Sequence, residues 1–118
     1  MFSPKMPLGD RSSNGKRCHI QGRVVIGDDV MMGPDVKIFT TNHQYDDIAI
    51  PMNQQGNQME KIVTIDDDVW IGANVIILPG VHVKKGAILG AGSVIRRNVE
   101  EYAIVMGNPA EVVKYRNQ

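Results

Sequence analysis

Residues Ile65 to Glu100, written in sixes, read IDDDVW IGANVI ILPGVH VKKGAI LGAGSV IRRNVE. Ile65, Ile71, Ile77, Val83, Leu89 and Ile95 open the blocks, and a small or β-branched residue, from Val69 to Val99, stands four places after each. A six-residue period fits neither a helix at 3.6 nor a strand at 2, so it describes a coil that returns on itself. Three blocks make one triangular turn. The opening residue points into the prism, the fifth fills the corner beside it, and the residues between can turn and stay polar.

Residues eighteen apart should therefore stack, because a parallel ladder sets successive coils about 4.8 Å apart with like above like. Ile71 then meets Leu89, Gly72 meets Gly90, Ala73 meets Ala91 and Ile77 meets Ile95, so IGAN and LGAG are one structural position visited twice. Two buried strands of an ordinary sandwich would need longer apolar runs and irregular connections. The expected fold class is all-β, a parallel β-helix of hexapeptide repeats.

Upstream, the same phase runs IQGRVV IGDDVM MGPDVK IFTTNH from Ile20. Ile20, Ile26, Met32 and Ile38 take the inward place and Val24, Val30 and Val36 the corner, while Asp28, Asp29 and Asp35 read as turn residues. Residues 1–19, with Pro4, Pro7, Gly9 and a polar run from Arg11 to Arg17, show no convincing phase and read as an irregular arm. The β-helix is thus expected over residues 20–100, interrupted where the phase breaks at Asn42 and resumes at Ile65.

The interruption, residues 44–64, is long for a compact domain, and such loops are usually functional or disordered. NHQYDDIAIP, its first part, should be ordered, should leave a corner of the prism and should cover a groove. Residues 101–118 form a C-terminal extension in which Asn108 suits an N-cap and Pro109 the first helical position, predicting a short helix over Ala110 to Arg116 with Val112 and Val113 packed on the prism.

The chain has 118 residues and a formal charge of zero, which bounds it to one domain and argues against a dedicated nucleic-acid or membrane-surface binder. Cys18, the single cysteine, has no internal partner, no stretch is apolar enough for a membrane span, and the start lacks a signal-type core, which points to a reducing, cytoplasmic setting.

These repeats, TTNH before a loop, VTIDDDVWIGANVIILPGV, GAGSV and a closing GNPA resemble the hexapeptide-repeat acyltransferases over residues 20–116, most closely the sugar O-acetyltransferases of galactoside, maltose and capsule type. The resemblance implies a left-handed helix, against the usual preference for right-handed crossovers. It also implies a homotrimer, acetyl-coenzyme A as donor in the crease between subunits, no metal, and a sugar or related small hydroxyl acceptor.

His43 in TTNH matches the family's general base, and a neutral imidazole can accept a proton. Trp70 matches the tryptophan lining the crease, and Ala73 and Ala91 match the small positions that meet the pantetheine arm. Arg96 and Arg97 match the pair that contacts the nucleotide end. Glu111 stands where several relatives carry a basic residue, leaving Lys114, Arg116 or the arginine pair for phosphate.

His82 would stack one coil from His43 if the loop were a pure insertion, and otherwise reads as a surface turn residue, as does His19. A zinc site of the kind built from three converging histidines lacks its close-spaced pair here. Relatives carry further coils or a helical segment ahead of Ile20, so a non-catalytic trimeric scaffold or an inactive truncated homologue stands as the second reading. Neither the acceptor nor the length of the acyl group is legible: serine, amine and longer acyl chemistry fit the same donor logic.

Overall fold

In the computed structural model, which describes residues 8–117, the repeat becomes a stack of short strands. In chain order these are β1 (His19–Ile20), β2 (Val24–Ile26), β3 (Met31–Met32), β4 (Lys37–Ile38), β5 (Val63–Ile65), β6 (Trp70–Ile71), β7 (Ile76–Ile77), β8 (His82–Val83), β9 (Ile88–Leu89), β10 (Val94–Ile95), β11 (Ala103–Gly107) and β12 (Ala110–Tyr115). They assemble into three sheets, one per prism face, in the orders β3-β6-β9-β11-β12, β1-β4-β7-β10 and β2-β5-β8. The prism is a left-handed parallel β-helix. Ile71 pairs with Leu89 and Ile77 with Ile95, the register expected from residues eighteen apart.

Inward residues make the core. Ile38, Ile71, Ile77 and Leu89 are fully buried, and the corner positions Val30, Val36, Val75 and Ala87 are buried beside them. Each buried Val, Ile or Leu side chain contributes roughly 1.5–3 kcal/mol by leaving water. The corners turn three places after an inward residue, where Asp29, Asp35, Asp68 and Asn74 adopt φ values of 59°, 60°, 56° and 61°. Asp and Asn tolerate this left-handed conformation better than other residues with side chains. Asp29 and Asp35 are thus turn residues, as expected.

The prism starts earlier than its phase suggested. Residues 8–19 are not an irregular arm: Gly9 N–H donates to Ile26 C=O at 3.0 Å, Ser13 bridges Met31 in parallel, and Cys18 is buried in the core. Leu8, Asn14 and Ile20 hold the inward place, and Ser12 and Cys18 the corner. Two polar residues at these places hid the repeat. Asn14 is only partly buried, and the Ser12 hydroxyl donates to Gly27 C=O at 2.7 Å. Residues 1–7 lie outside the described part of the chain.

The interruption is an insertion. Val24 pairs with Val63 and Ile26 with Ile65, thirty-nine residues apart rather than eighteen, so the coil closes in register around twenty-one extra residues. Val63 already lies in the core, so the coil resumes before the expected boundary after residue 64. Thr40, fully buried, holds the exit: its hydroxyl donates to Glu60 Oε2 at 2.8 Å, and Glu60 Oε2 also accepts from Arg23 N–H at 3.1 Å. Gln21 Oε1 accepts from the N–H groups of Thr40 and Thr41.

The C-terminal helix is not formed. Ala110–Tyr115 is strand β12, antiparallel to β11, with a cis peptide between Asn108 and Pro109 in the connecting turn. The reason is tertiary pairing that overrides the local helix signal. Strand β11 leaves an open edge, and Val112, Val113 and Tyr115 suit a strand better than a helix. Val112 and Val113 stay exposed instead of packing on the prism. Arg116 ties the end down, donating to Asp68 Oδ2 and Gly86 C=O, both at 3.1 Å.

Candidate active site

The site begins with a column of small residues at the corner after strands β3, β6 and β9. Gly33, Gly72 and Gly90 each follow an inward residue, and a methyl at Gly33 would lie 2.8 Å from Ala73 N, while one at Gly72 would lie 2.7 Å from Ala91 N. Neighbouring coils touch backbone to backbone here, which only glycine permits. Ala73 and Ala91 stand one coil apart, and Ala73 C=O accepts from Gly92 N–H at 2.8 Å. No partner for Ala73 N–H or Ala91 N–H is found among the described residues.

Beside this corner runs an outward ladder. Met31 pairs with Trp70, Trp70 with Ile88 and Ile88 with Ile104, all on one sheet. Trp70, Ala73, Ala91, Ile88, Ile104 and Met106 enclose an apolar cleft of about 470 Å³ with the three glycines at its floor. Trp70 is half exposed, so its indole is a wall of the cleft and no part of the core. Lys114 pairs with Ile104 across the hairpin, at the end of the ladder.

The cleft brings together Trp70, Ala73 and Ala91, three of the residues expected from sequence. Arg96 and Arg97 fall elsewhere, in a second cavity of about 310 Å³ at the upper end of the prism that also includes Glu111 and Ala110. Neither arginine has an ion-pair partner among the described residues, whereas Arg116 is engaged by Asp68. Met31, Ile88, Ile104 and Met106 were missed. The signal for Met31, Ile88 and Ile104 was an apolar residue just before the inward one, where the repeat usually tolerates a polar side chain, whereas Met106 follows the inward Val105, at the place Gly90 holds one coil below.

His43 lies at a different corner. It sits exposed on the stem of the inserted loop, bridging Asn57 in antiparallel fashion, with Gln44 N–H donating to Gly56 C=O and Gln58 N–H to Asn42 C=O, each at 2.8 Å. Within one chain His43 does not line the Trp70 cleft. The stacking of His43 beneath His82 is also not formed, because the chain leaves the coil before His43 and Thr64 takes that place. His82 Nε2 instead stands 2.9 Å from both carboxylate oxygens of Asp66. His19 packs its ring against Phe39, centroids 5.9 Å apart.

Charge pairing concentrates at the lower corners. Arg11 donates to both oxygens of Asp29, at 2.6 and 2.9 Å, and Arg17 to both of Asp35, at 2.8 and 2.9 Å. These hydrogen bonds hold the two carboxyls below the ordinary carboxylate range and raise the guanidinium values. Arg17–Asp35 stands at the foot of the corner column that carries Ala73 and Ala91. No helix among the described residues is long and apolar enough to cross a membrane.

The bacterial transferase hexapeptide family (six repeats) matches residues 62–97. A galactoside O-acetyltransferase of Lactococcus lactis is 35% identical over 94 residues, covering 80% of this chain and 44% of that protein. A hexapeptide-repeat-containing acetyltransferase of Vibrio cholerae has 30% identity and a TM-score of 0.69, over 96% of this chain and 68% of that one. Its complex with acetyl coenzyme A gives a TM-score of 0.87 at 29% identity, over 97% and 62%. The chain spans about half the length of the curated relatives it matches. Register, corner column and these likenesses agree, and the chain belongs to the hexapeptide-repeat acyltransferase family.

Proposed function

We propose that the protein transfers an acetyl group from acetyl-coenzyme A to a hydroxyl of a sugar or related small acceptor. The observation that carries this reading is the cleft in which the backbone N–H groups of Ala73 and Ala91, without a partner among the described residues, stand one coil apart between a glycine floor and the Trp70 indole. A pantetheine arm is slender, largely apolar and bears spaced amides, so it fits a narrow apolar slot with spaced amide donors. Lys114 at the end of the ladder, with Arg96 and Arg97 as further cations, supplies charge for the phosphates.

A thioester is already activated, so the protein need only orient the reactants and manage one proton. His43 acts as general base, taking the proton of the acceptor hydroxyl as its oxygen bonds to the acetyl carbonyl carbon. The carbon–sulfur bond then breaks, and the coenzyme A thiolate recovers the proton from His43. Because His43 and the cleft occupy different corners of one prism, the reading requires a second copy to bring its loop to the cleft, which a homotrimer does at three equivalent creases. Cys18 is buried, its Sγ turned to Gly33 C=O at 3.3 Å beneath the cleft floor and not among the cleft's lining residues, which favours direct transfer over an acyl-enzyme.

The test is calorimetric titration with acetyl-coenzyme A alongside light scattering, followed by turnover of His43→Ala. Saturable binding near one site per chain, with transfer reduced at least a hundredfold in His43→Ala and assembly unchanged, is expected. An intact trimer that binds no donor would favour a scaffold instead.

A further inference from the structure

The corner at which the chain enters the Trp70 sheet holds a stack that the proposed transfer step does not use. Asp68, Gly86 and Tyr102 stand there on successive coils, each two residues before a member of the outward ladder, Trp70, Ile88 and Ile104. Arg116 joins them from the end of strand β12, two residues after Lys114, which pairs with Ile104. One side chain ties the stack together. Arg116 Nη1 donates to Asp68 Oδ2 and to Gly86 C=O, both at 3.1 Å, and the guanidinium lies over the Tyr102 ring, 5.9 Å from its centroid. The Arg116 backbone N–H donates to Tyr102 C=O at 2.9 Å.

This corner is held against a local preference. Tyr102 has a φ of 60°, where a bulky side chain is an outlier, and its ring lies so close to Gly86 that no β-carbon fits there. Such conformations persist where the surroundings over-determine them, and they gather at functional sites. The Arg116–Asp68 pair is itself half open to solvent, and exposed pairs of this kind add little to global stability. What the pair can fix is geometry.

The hairpin gives that geometry a consequence. Ile104 pairs with Lys114 but Val105 pairs with Val112, which leaves Val113 as the extra residue of a bulge. Bulges bend a strand and re-aim the side chains beside them. Strand β12 is an edge of its sheet: Ala110 and Tyr115 pack against the core at its two ends, while Val112, Val113 and Lys114 between them are exposed. Residues directly opposite leave a sheet on the same side, so Lys114 faces outward with Ile104, which lines the cleft. Lys114 has no ion-pair partner among the described residues. We propose that Arg116 is a positioning residue of the donor site: by clamping β12 to the coils of Trp70 and Ile88 it holds the bulged strand so that Lys114 meets the phosphates of coenzyme A, and it does not bind them itself. This rests on the transferase reading and adds a residue to it.

Dissociation constants for acetyl-coenzyme A are measured by calorimetry at low and at moderate salt for the natural protein, Lys114→Gln, Arg116→Gln, the double variant and Asp68→Asn. Lys114→Gln and Arg116→Gln are each expected to weaken binding about tenfold and to flatten its salt dependence. The double variant should match Lys114→Gln to within about twofold, because Arg116 acts through Lys114. Losses that multiply in the double variant overturn the proposal, since direct phosphate binding by Arg116 or a general loosening of the cleft would produce them. So does natural affinity in Arg116→Gln. Asp68→Asn keeps the guanidinium and removes its ion pair; weakened binding is expected, and natural affinity in this variant overturns the proposal even where Arg116→Gln fails to fold. Natural affinity in Lys114→Gln overturns it too, while leaving the donor in the cleft. A natural protein that binds no acetyl-coenzyme A removes the transferase reading, and this proposal with it.

Discussion

The Thr40 hydroxyl donates to the Glu60 carboxylate at 2.8 Å across the mouth of the inserted loop, joining residue 40, where the chain leaves the prism, to residue 60, where it returns. Thr40 is fully buried, and with Glu60 removed its hydroxyl keeps only the Gln21 C=O, 3.1 Å away, while Arg23 N–H loses its carboxylate acceptor. Glu60→Ala should cost about 1–3 kcal/mol of stability. It should lower transfer more than donor binding, because the stem that carries His43 loosens while the Trp70 cleft, on another face, is untouched. Thermal melts together with donor titration and turnover test this, and equal losses in all three would detach the clamp from the base.

Trp70→Ala should leave folding largely intact, since half the side chain is already in solvent. The variant loses one wall of the cleft, and the dissociation constant for acetyl-coenzyme A should rise roughly 10- to 100-fold, about 1.4–2.8 kcal/mol. Calorimetry reads it directly. Unchanged affinity would move the donor away from this cleft.

Gly72→Ala makes the opposite demand on the same site. The new methyl would lie 2.7 Å from Ala91 N, against backbone that cannot swing aside. Adjacent coils must part, and the expected cost is about 1–3 kcal/mol. Gly92→Ala offers the contrast: no atom stands within 4 Å of its added methyl, but its φ of 75° penalises a side chain, so any cost there arises from backbone conformation alone. Chemical denaturation of the two variants separates crowding from conformation.

Acid should weaken the lower end of the prism. Arg11 and Arg17 hold the carboxyls of Asp29 and Asp35 below their ordinary values, so the stabilisation is present above the unfolded carboxylate pKa near 4 and is lost as pH falls through the lower folded values. The arginines stay charged throughout. Both pairs are open to solvent, and added salt should reduce the effect. Amide hydrogen exchange at Val30 and Asp35, followed between neutral pH and acid in the natural protein and in Asp29→Asn/Asp35→Asn, reports on it once corrected for the intrinsic pH dependence. A pH response that survives both substitutions would place the titrating groups elsewhere.

The corner column was legible in the sequence because stacking imposes a residue-by-residue condition: Gly72 over Gly33 and Gly90 over Gly72 satisfy a steric limit that leaves a visible mark. The first coil was not. Asn14, only partly buried, holds an inward place that Ile20 and Ile71 fill with aliphatic carbon, so the hydrophobic phase is masked there. Asn108–Pro109 misled for another reason. The pair suits a helix start in isolation, and only the free edge of β11, a long-range feature, makes the following residues a strand. In the candidate site, Trp70, Ala73 and Ala91 converge because they share a face or corner, while the distance of His43 and of the arginine pair from them is set by which corner each block turns at. Lys114 stands beside Ile104 in the hairpin instead of in the helix expected for it, and does not line the cleft.

The in-register closure of Val24 on Val63 across the loop gives the fold a division of labour in its ancestry. Lengthening, shortening or replacing residues 41–61 leaves every coil above and below in step, since the prism measures its own repeat and is indifferent to the excursion. On the proposed reading, acceptor recognition can therefore drift quickly while donor recognition stays locked to the stacked corners.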